Sequence, residues 1–340
     1  MNKLKVILPS DIHHLCQIVV GFQQLKKQGW NVELVNEAHN PEHPFHGLPL
    51  VFVEYKGKTL CYDLWDGYQN PPEMRRAAAE CDLYFKRSFS AEKNQQYFGD
   101  CLEKIRPLGF NYHVTCRENP INEPLHKQLL KPLMGRAPDV YFTPEVFEGK
   151  AEPCTGMPKI LFLTRLWEDD PSLPEEVNEE RRMINRSRIE IIKTLKERYG
   201  DAFFGGINDL PIARELAPEL IVPAKYTERK KYLKLLHSCD ICIGTMGLHE
   251  SIGWKTAEYV AAAKAIVNEW FHYQVTGDFE EGKNYLAFAT AQECIDAVQR
   301  LVEDPRMLYD MKQRNQKYYE AFLRPDMLVK HTLELAEKNI

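Results

Sequence analysis

Residues His237 to Glu269 read H-S-C-D-I-C-I-G-T-M-G-L-H-E-S-I-G-W-K-T-A-E-Y-V-A-A-A-K-A-I-V-N-E. Cys239 to Ile243 is a short apolar run, and Gly244-Thr245-Met246-Gly247 breaks it. Trp254 to Lys264 is alanine-rich and favours helix, and Ala265-Ile-Val267 has the character of a second buried strand. The pattern predicts strand, glycine-bearing loop, helix, strand. A helix that starts after such a loop presents free N–H groups and is a natural seat for phosphate. Glu250 and Glu258 bracket the junction, and a carboxylate placed there can accept hydroxyl protons from a sugar or ribose.

Outward from this stretch the chain alternates strands and helices twice. In the first half, strands are expected at Lys3–Leu8, Trp30–Val35, Leu83–Phe85 and Phe110–Thr115, with a helix carrying Leu15, Ile18, Val19, Phe22 and Leu25 at helical spacing. Leu50–Tyr55 and Thr59–Leu64 flank Lys56-Gly57-Lys58, a hairpin signal, and Glu73–Glu80 is helical. Residues 116–157 are proline-rich and aperiodic, and the linker falls near their end. Alternation restarts at Lys159–Thr164. An acidic insertion at Trp167–Glu180 precedes helices at Ile184–Tyr199 and Thr227–His237, and three more follow at Ala291–Glu303, Met307–Leu323 and Pro325–Ile340. The fold class is therefore α/β, with two domains of shared β-α architecture at 1–155 and 156–325 and a terminal helix at 326–340.

Bulk properties narrow the field. At 340 residues the chain suits two domains, and a net charge of −5 gives no pull toward nucleic acid. No apolar run approaches the ~20 residues of a membrane span. Nine scattered cysteines fit free thiols in a reducing cytosol, which points to a cytoplasmic protein. Cys239-Asp-Ile-Cys242 resembles a CxxC motif, but positions three apart in a strand point to opposite faces, so it reads as core. His43-Pro-Phe-His46 lacks a carboxylate partner, so no metal site is expected. Neither GxxxxGK[ST] nor GxGxxG after a strand occurs.

The 244–267 segment resembles the C-terminal domain of GT-B glycosyltransferases, especially the retaining, family 4-like group 1 enzymes with a Glu-x7-Glu motif. Glu250-Ser-Ile-Gly253 matches the first part, Glu258-Tyr-Val-Ala261 the second, and Lys264-Ala-Ile-Val267 the closing strand. Gly282–Phe288 is similar to the family's next strand, and Lys159–Arg165 to the one that opens the nucleotide domain. The resemblance covers about half of the chain. It implies a GT-B fold, with two Rossmann-like domains facing across a cleft and the terminal helix packing back on the first. It also implies transfer of a UDP- or GDP-linked sugar to a hydroxyl of a glycan or lipid-linked acceptor, with retention, in cell-surface polysaccharide or glycoconjugate synthesis. No cofactor or metal is required, the nucleotide-sugar being a substrate. Peripheral contact with the inner membrane face is a further partner expectation.

Carried onto this sequence, the resemblance puts Glu250 at the donor-sugar hydroxyls and Glu258 at the ribose, with Ser251, Ile252 and Gly253 on the diphosphate. Arg165, Lys255, Thr245 and Gly247 complete the donor side. The family's lysine after the arginine is replaced by Trp167-Glu-Asp-Asp170, so Arg181, Arg182, Arg186 or Lys255 is left to supply that charge. Asp11, His13 and His14 follow the first strand, at the edge where doubly wound sheets bind ligands. Asp11, His13 and Asp66 are candidate bases if the reaction inverts. His14, with Asp66 and Tyr68 of Asp63-Leu-Trp-Asp66-Gly-Tyr68, forms the expected acceptor site. Lys86-Arg87 reads as a solvated pair. A sugar-nucleotide epimerase of the same fold and a non-catalytic nucleotide-sugar-binding scaffold are the competing readings.

Overall fold

The structure, a computed structural model, describes residues 3–122 and 142–338. Part of the proline-rich 116–157 stretch, with Pro124, Pro132 and Pro138, lies outside the described residues, as do residues 339–340.

The first domain is built on six strands: β1 (Leu4–Leu8), β2 (Val32–Asn36), β3 (Leu50–Tyr55), β4 (Lys58–Asp63), β5 (Leu83–Lys86) and β6 (Ile105–Pro107). Their order is β2-β1-β3-β4-β5-β6. Helix α1 (Cys16–Lys27) makes the parallel crossover from β1 to β2, while β3 runs antiparallel to both β1 and β4. The hairpin is closed by Lys56 and Gly57, both at positive φ (50° and 78°), as a two-residue turn matched to strand twist requires. Helices α2 (Pro71–Ala79) and α3 (Ala91–Phe98) follow. Nothing in the sequence reading anticipates α3, although the Ser90 side chain caps it by accepting from the Lys93 N–H.

The second sheet holds β7 (Ile160–Thr164), β8 (Phe203–Ile207), β9 (Ile241–Gly244), β10 (Ala265–Glu269) and β11 (Leu286–Phe288), in the order β11-β10-β9-β7-β8. All its pairings are parallel. Every residue of β7 and β9 is buried, because helices cover both faces of such a sheet, and this produces the unbroken apolar runs seen in the sequence. The helices are α4 (Glu175–Tyr199), α5 (Pro211–Leu216), α6 (Arg229–Ser238), α7 (Trp254–Ala261), α8 (Ala291–Glu303) and α9 (Pro305–Tyr318). Strand order reverses between β7 and β9, so their carboxyl ends diverge there and leave a crevice.

Helix α10 (Pro325–Lys338) returns to the first domain. Its Leu328, Val329, Leu333 and Ala336 join the core of Leu15, Ile18 and Phe22. The approach is close: a Cβ at Gly21 would lie 2.3 Å from the Pro325 carbonyl oxygen. Two Rossmann-like domains thus face each other across a cleft, the GT-B arrangement that the resemblance implies.

Three local expectations are corrected. Phe110–Thr115 forms no ladder; the edge strand is β6, and the later segment is extended and held by side chains, with the Asn111 amide donating to the His14 carbonyl. Helix α4 begins at Glu175, inside the acidic insertion, because Pro174 sets its entry and Glu175 and Glu176 complement the dipole at its amino end. Cys239 precedes β9, so alternation does not separate it from Cys242; both thiols are buried in one core cluster, and both are free.

Candidate functional site

A cavity of about 600 Å³ opens at the β7–β9 switch point and extends to the first domain. Its floor is the loop after β9, where backbone close approach is forced. A Cβ at Gly244 would fall 1.9 Å from the Asn268 amide oxygen, and one at Gly247 2.6 Å from the Ser251 hydroxyl. Helix α7 begins at this floor with Gly253 as its N-cap and no capping side chain; the Thr256 N–H donates to the Gly253 carbonyl, and the Trp254 and Lys255 N–H groups have no partner among the described residues. A Cβ built on Gly253 would meet nothing nearer than 3.7 Å, so space above it is open.

Charge at the site is lopsided. Five cationic side chains (Arg87, Arg165, Arg188, Arg229 and Lys255) line the cavity against two carboxylates, Asp66 and Glu258. Arg188 is buried and donates to the Thr245 hydroxyl at 2.8 Å, the Arg165 carbonyl at 2.6 Å and the Met246 carbonyl at 3.2 Å. Burial lowers its pKa to about 10, which leaves it charged at neutral pH. Arg165 stacks on the Trp167 ring at 3.8 Å. Lys255 donates to the Leu163 carbonyl, and burial pulls its pKa down to about 8 against the opposing pull of Glu258. Glu258 is 1% exposed and pairs through Oε1 with Arg229 at 2.8 Å. Its buried Oε2 accepts no well-aligned hydrogen bond among the described residues, and the buried Tyr232 hydroxyl beside it is equally unpaired.

The first domain contributes a self-neutralised wall. His14 Nε2 lies 3.9 Å from Asp66 Oδ2, and Arg87 pairs with Asp66 while donating to the Ile252 carbonyl across the cleft at 2.9 Å. The His14 ring packs edge-on against Trp254 at 5.0 Å. Burial, then Arg87, lowers the His14 pKa, and Asp66 opposes them. Beneath, the buried Lys86 ammonium donates to Asp63 at 2.7 Å and to the Gly67 carbonyl at 3.0 Å, fixing the turn that carries Asp66. The solvated Lys86-Arg87 pair expected from sequence is therefore corrected: both are buried, because Asp63 and Asp66 are there to receive them.

Arg165, Thr245, Gly247, Ser251, Ile252, Gly253, Lys255, Glu258, His14 and Asp66 all line the cavity. Four other candidates stand elsewhere. The Glu250 carboxylate pairs with Lys93 of α3 at 2.8 Å and lies 3.7 Å from His272, and the Lys93 hydrogen bond holds it below the usual carboxylate range. His249 and Glu250 both have φ of 60°, a strained conformation for residues other than glycine. Tyr68 donates to Asn94 and packs on Tyr97 and Tyr273, at the domain contact beside the cavity. Asp11 is exposed, and the exposed His13 ring packs on His113 at 5.0 Å.

Sequence reasoning missed Arg188, Arg229, Trp254 and Lys93. For Arg188 a signal existed: it shares helical register with Ile191, Ile192 and Leu195, the buried face of α4, whereas Arg182 and Arg186 pair with surface glutamates.

No protein-family model matches this chain, and no curated protein does. Among solved structures, it is similar to HepE of Anabaena in complex with UDP and glucose, at 12% identity over 95% of each chain and a TM-score of 0.40. It is also similar to WaaG, a glycosyltransferase involved in lipopolysaccharide biosynthesis, at 12% over 74% of each chain and 0.39. UDP-GlcNAc 2-epimerase from Neisseria meningitidis bound to UDP-GlcNAc matches at 16%, over 78% of this chain and 63% of that one, at 0.36.

Proposed function

We propose that this chain is a glycosyltransferase that takes a UDP- or GDP-linked sugar and passes the glycosyl group to a hydroxyl of a glycan or lipid-linked acceptor. The observation that carries this reading is the cationic surplus of the cavity, with Arg165, Arg188 and Lys255 beside the open amino end of α7 and buried Glu258 on the same wall. Surplus positive charge at a helix amino end, with a carboxylate beside it, suits a ligand that joins a diphosphate to a hydroxyl-bearing ring. In the reaction the bond from the anomeric carbon to the diphosphate oxygen breaks, and a bond to the acceptor oxygen forms. Arg165, Arg188, Lys255 and the helix N–H groups stabilise the leaving diphosphate. No metal is needed for that step. Nine free cysteines support a reducing, cytoplasmic setting, and a lipid-linked acceptor would bring the cleft to the inner membrane face in cell-surface glycoconjugate synthesis.

Two stereochemical courses follow, one resting on the Glu250 carboxylate and one on the His14 imidazole. Retention, as the Glu-x7-Glu resemblance implies, requires Glu250 to leave Lys93 and hold donor hydroxyls. Inversion is favoured by a specific observation: His14, kept neutral by burial and neighboured by Asp66, stands in the cavity wall and can take the acceptor's proton. The anomeric configuration of the product separates the two.

Thermal melts with nucleoside diphosphates and nucleotide-sugars test the reading. A diphosphate at a hundred times its dissociation constant stabilises by about 2.7 kcal/mol. No shift with any of them sinks it. UDP or GDP released only when acceptor is present distinguishes transfer from epimerisation and from a binding scaffold.

A further inference from the structure

We propose that His13, Cys16 and His113 form a binding site for a divalent transition ion of borderline softness, of the Zn²⁺ type, beside the acceptor wall. One imidazole nitrogen from each histidine and the thiol sulfur lie within 4.8 Å of one another. Tetrahedral zinc, with bonds of about 2.0–2.3 Å, holds its ligand atoms roughly 3.5 Å apart, so small side-chain rotations close the set.

The juxtaposition is built by the backbone. His13–Leu15 is a 3₁₀ turn, closed by the Cys16 N–H donating to the His13 carbonyl. In such a turn side chains three apart eclipse, which stacks His13 over Cys16. His113 arrives from the segment after β6, which is tied to the same turn at two points. The Asn111 amide donates to the His14 carbonyl at 2.8 Å, and the Tyr112 N–H to the Gln17 side chain at 3.3 Å. Arg229 of the second domain donates to the His113 carbonyl at 3.3 Å. Neither imidazole has a hydrogen bond to another described group, so both keep a lone pair to offer.

Donor chemistry selects the ion. Two imidazoles and a thiolate, with no carboxylate, suit Zn²⁺ or Co²⁺ and disfavour Mg²⁺ and Ca²⁺, which take oxygen ligands. Cys16 is buried, His113 half-buried and His13 exposed, so the ion enters past His13 and keeps one position for water. Binding displaces the thiol proton to solvent. The ion would stand beside His14, cross-linking the turn that carries it to the 111–113 segment, in a positioning role that needs no donor or acceptor to be detected.

The test is Co²⁺ titration of the reduced, chelator-treated full chain. The expected result is one Co²⁺ per chain with a thiolate-to-Co²⁺ charge-transfer band, displaced by Zn²⁺ and lost in Cys16→Ser. His13→Ala, a surface change that leaves the core untouched, should weaken binding at least tenfold and abolish the Zn²⁺-induced rise in Tm; it also decides the matter if Cys16→Ser fails to fold. No saturable one-to-one binding, a band that persists in Cys16→Ser, or unchanged affinity in His13→Ala would each overturn the proposal.

Discussion

The two walls of the cleft solve opposite electrostatic problems. The second-domain wall is built on a fully parallel sheet, and its Arg188 and Lys255 spend their hydrogen bonds on backbone and hydroxyl oxygens, so neither is hydrogen-bonded to a carboxylate, although Glu269 and Glu258 lie near enough to act on them. The first-domain wall, on a mixed sheet, spends its charge on itself: Asp66 lies between Arg87 and His14, and Asp63 takes Lys86. A wall of the first kind waits for an anion. A wall of the second kind is neutral overall and presents a polar, aromatic surface on which a neutral hydroxyl compound can be oriented.

Arg188→Ala is the sharpest attempt to break this contrast. It removes a buried charge and strands the Thr245 hydroxyl and two carbonyls. With hydrogen bonds to charged groups contributing ~1.5–3 kcal/mol each, donor affinity should fall on the order of a hundredfold. Arg188→Lys should restore little, since a single ammonium cannot reproduce the fork. Isothermal titration with the diphosphate reads both, and an Arg188→Ala affinity within threefold of the parent would remove the site from the donor half.

Asp66→Asn addresses the other wall and should have a smaller, differently distributed effect. It keeps the shape but leaves Arg87 without its counter-charge and His14 without an anionic neighbour. A positioned base contributes typically ~10²–10⁴-fold, so losing its orienting partner should lower kcat by about tenfold to a hundredfold while diphosphate affinity holds within about threefold. The expected split is between kcat and donor Kd. A proportional loss in donor Kd would mean that the two walls are not separate in function.

The contrast also explains what the sequence discloses. Ile241–Gly244 and Ala265–Val267 are legible because strand segments buried on both faces are apolar, and the loop and helix between them fix Ser251–Gly253, Lys255 and Glu258. The first-domain wall is less legible for three reasons. Which of Asp11, His13 and His14 faces the cleft depends on a single 3₁₀ turn, which has no distinctive composition. Lys86 looks solvated until Asp63, 23 residues earlier, is known to lie beside it. Phe110–Thr115 has the apolar content of a strand, but composition reports burial, not which groups take its hydrogen bonds.

A milder perturbation joins the walls. Lys93 of the first domain holds Glu250 of the second at 2.8 Å, and Tyr273 donates to the His249 carbonyl at 2.9 Å. An ion pair this exposed contributes ~0–1 kcal/mol, so Lys93→Met should cost little stability. If donor binding recruits Glu250, the variant frees it and donor affinity should rise about twofold to fivefold. If Glu250 stays outside the donor site, affinity should not move, and the configuration of the product should be inverted.

The smallest expected effect is a pH dependence confined to the second-domain wall. Burial lowers the Lys255 pKa to about 8 from an ordinary ~10.4, so the side chain is charged below pH 8 and neutral above it. A bound diphosphate favours the charged form and raises the pKa in the complex. Between those two values donor binding takes up a proton, and Kd should rise with pH by at most about tenfold per unit. Folding carries the opposite sign. A depressed lysine pKa costs stability where the group must be charged, and that cost shrinks as pH rises from 8 toward 10.4, where the unfolded chain binds more protons than the folded one. Between pH 7.5 and 9.5 the ligand-free Tm should therefore gain relative to Lys255→Met, while the diphosphate-induced shift in Tm diminishes. Lys255→Arg, charged throughout, should flatten the affinity profile. An affinity profile equally steep in Lys255→Arg would assign the titration to another group and leave the lysine's charge outside donor binding.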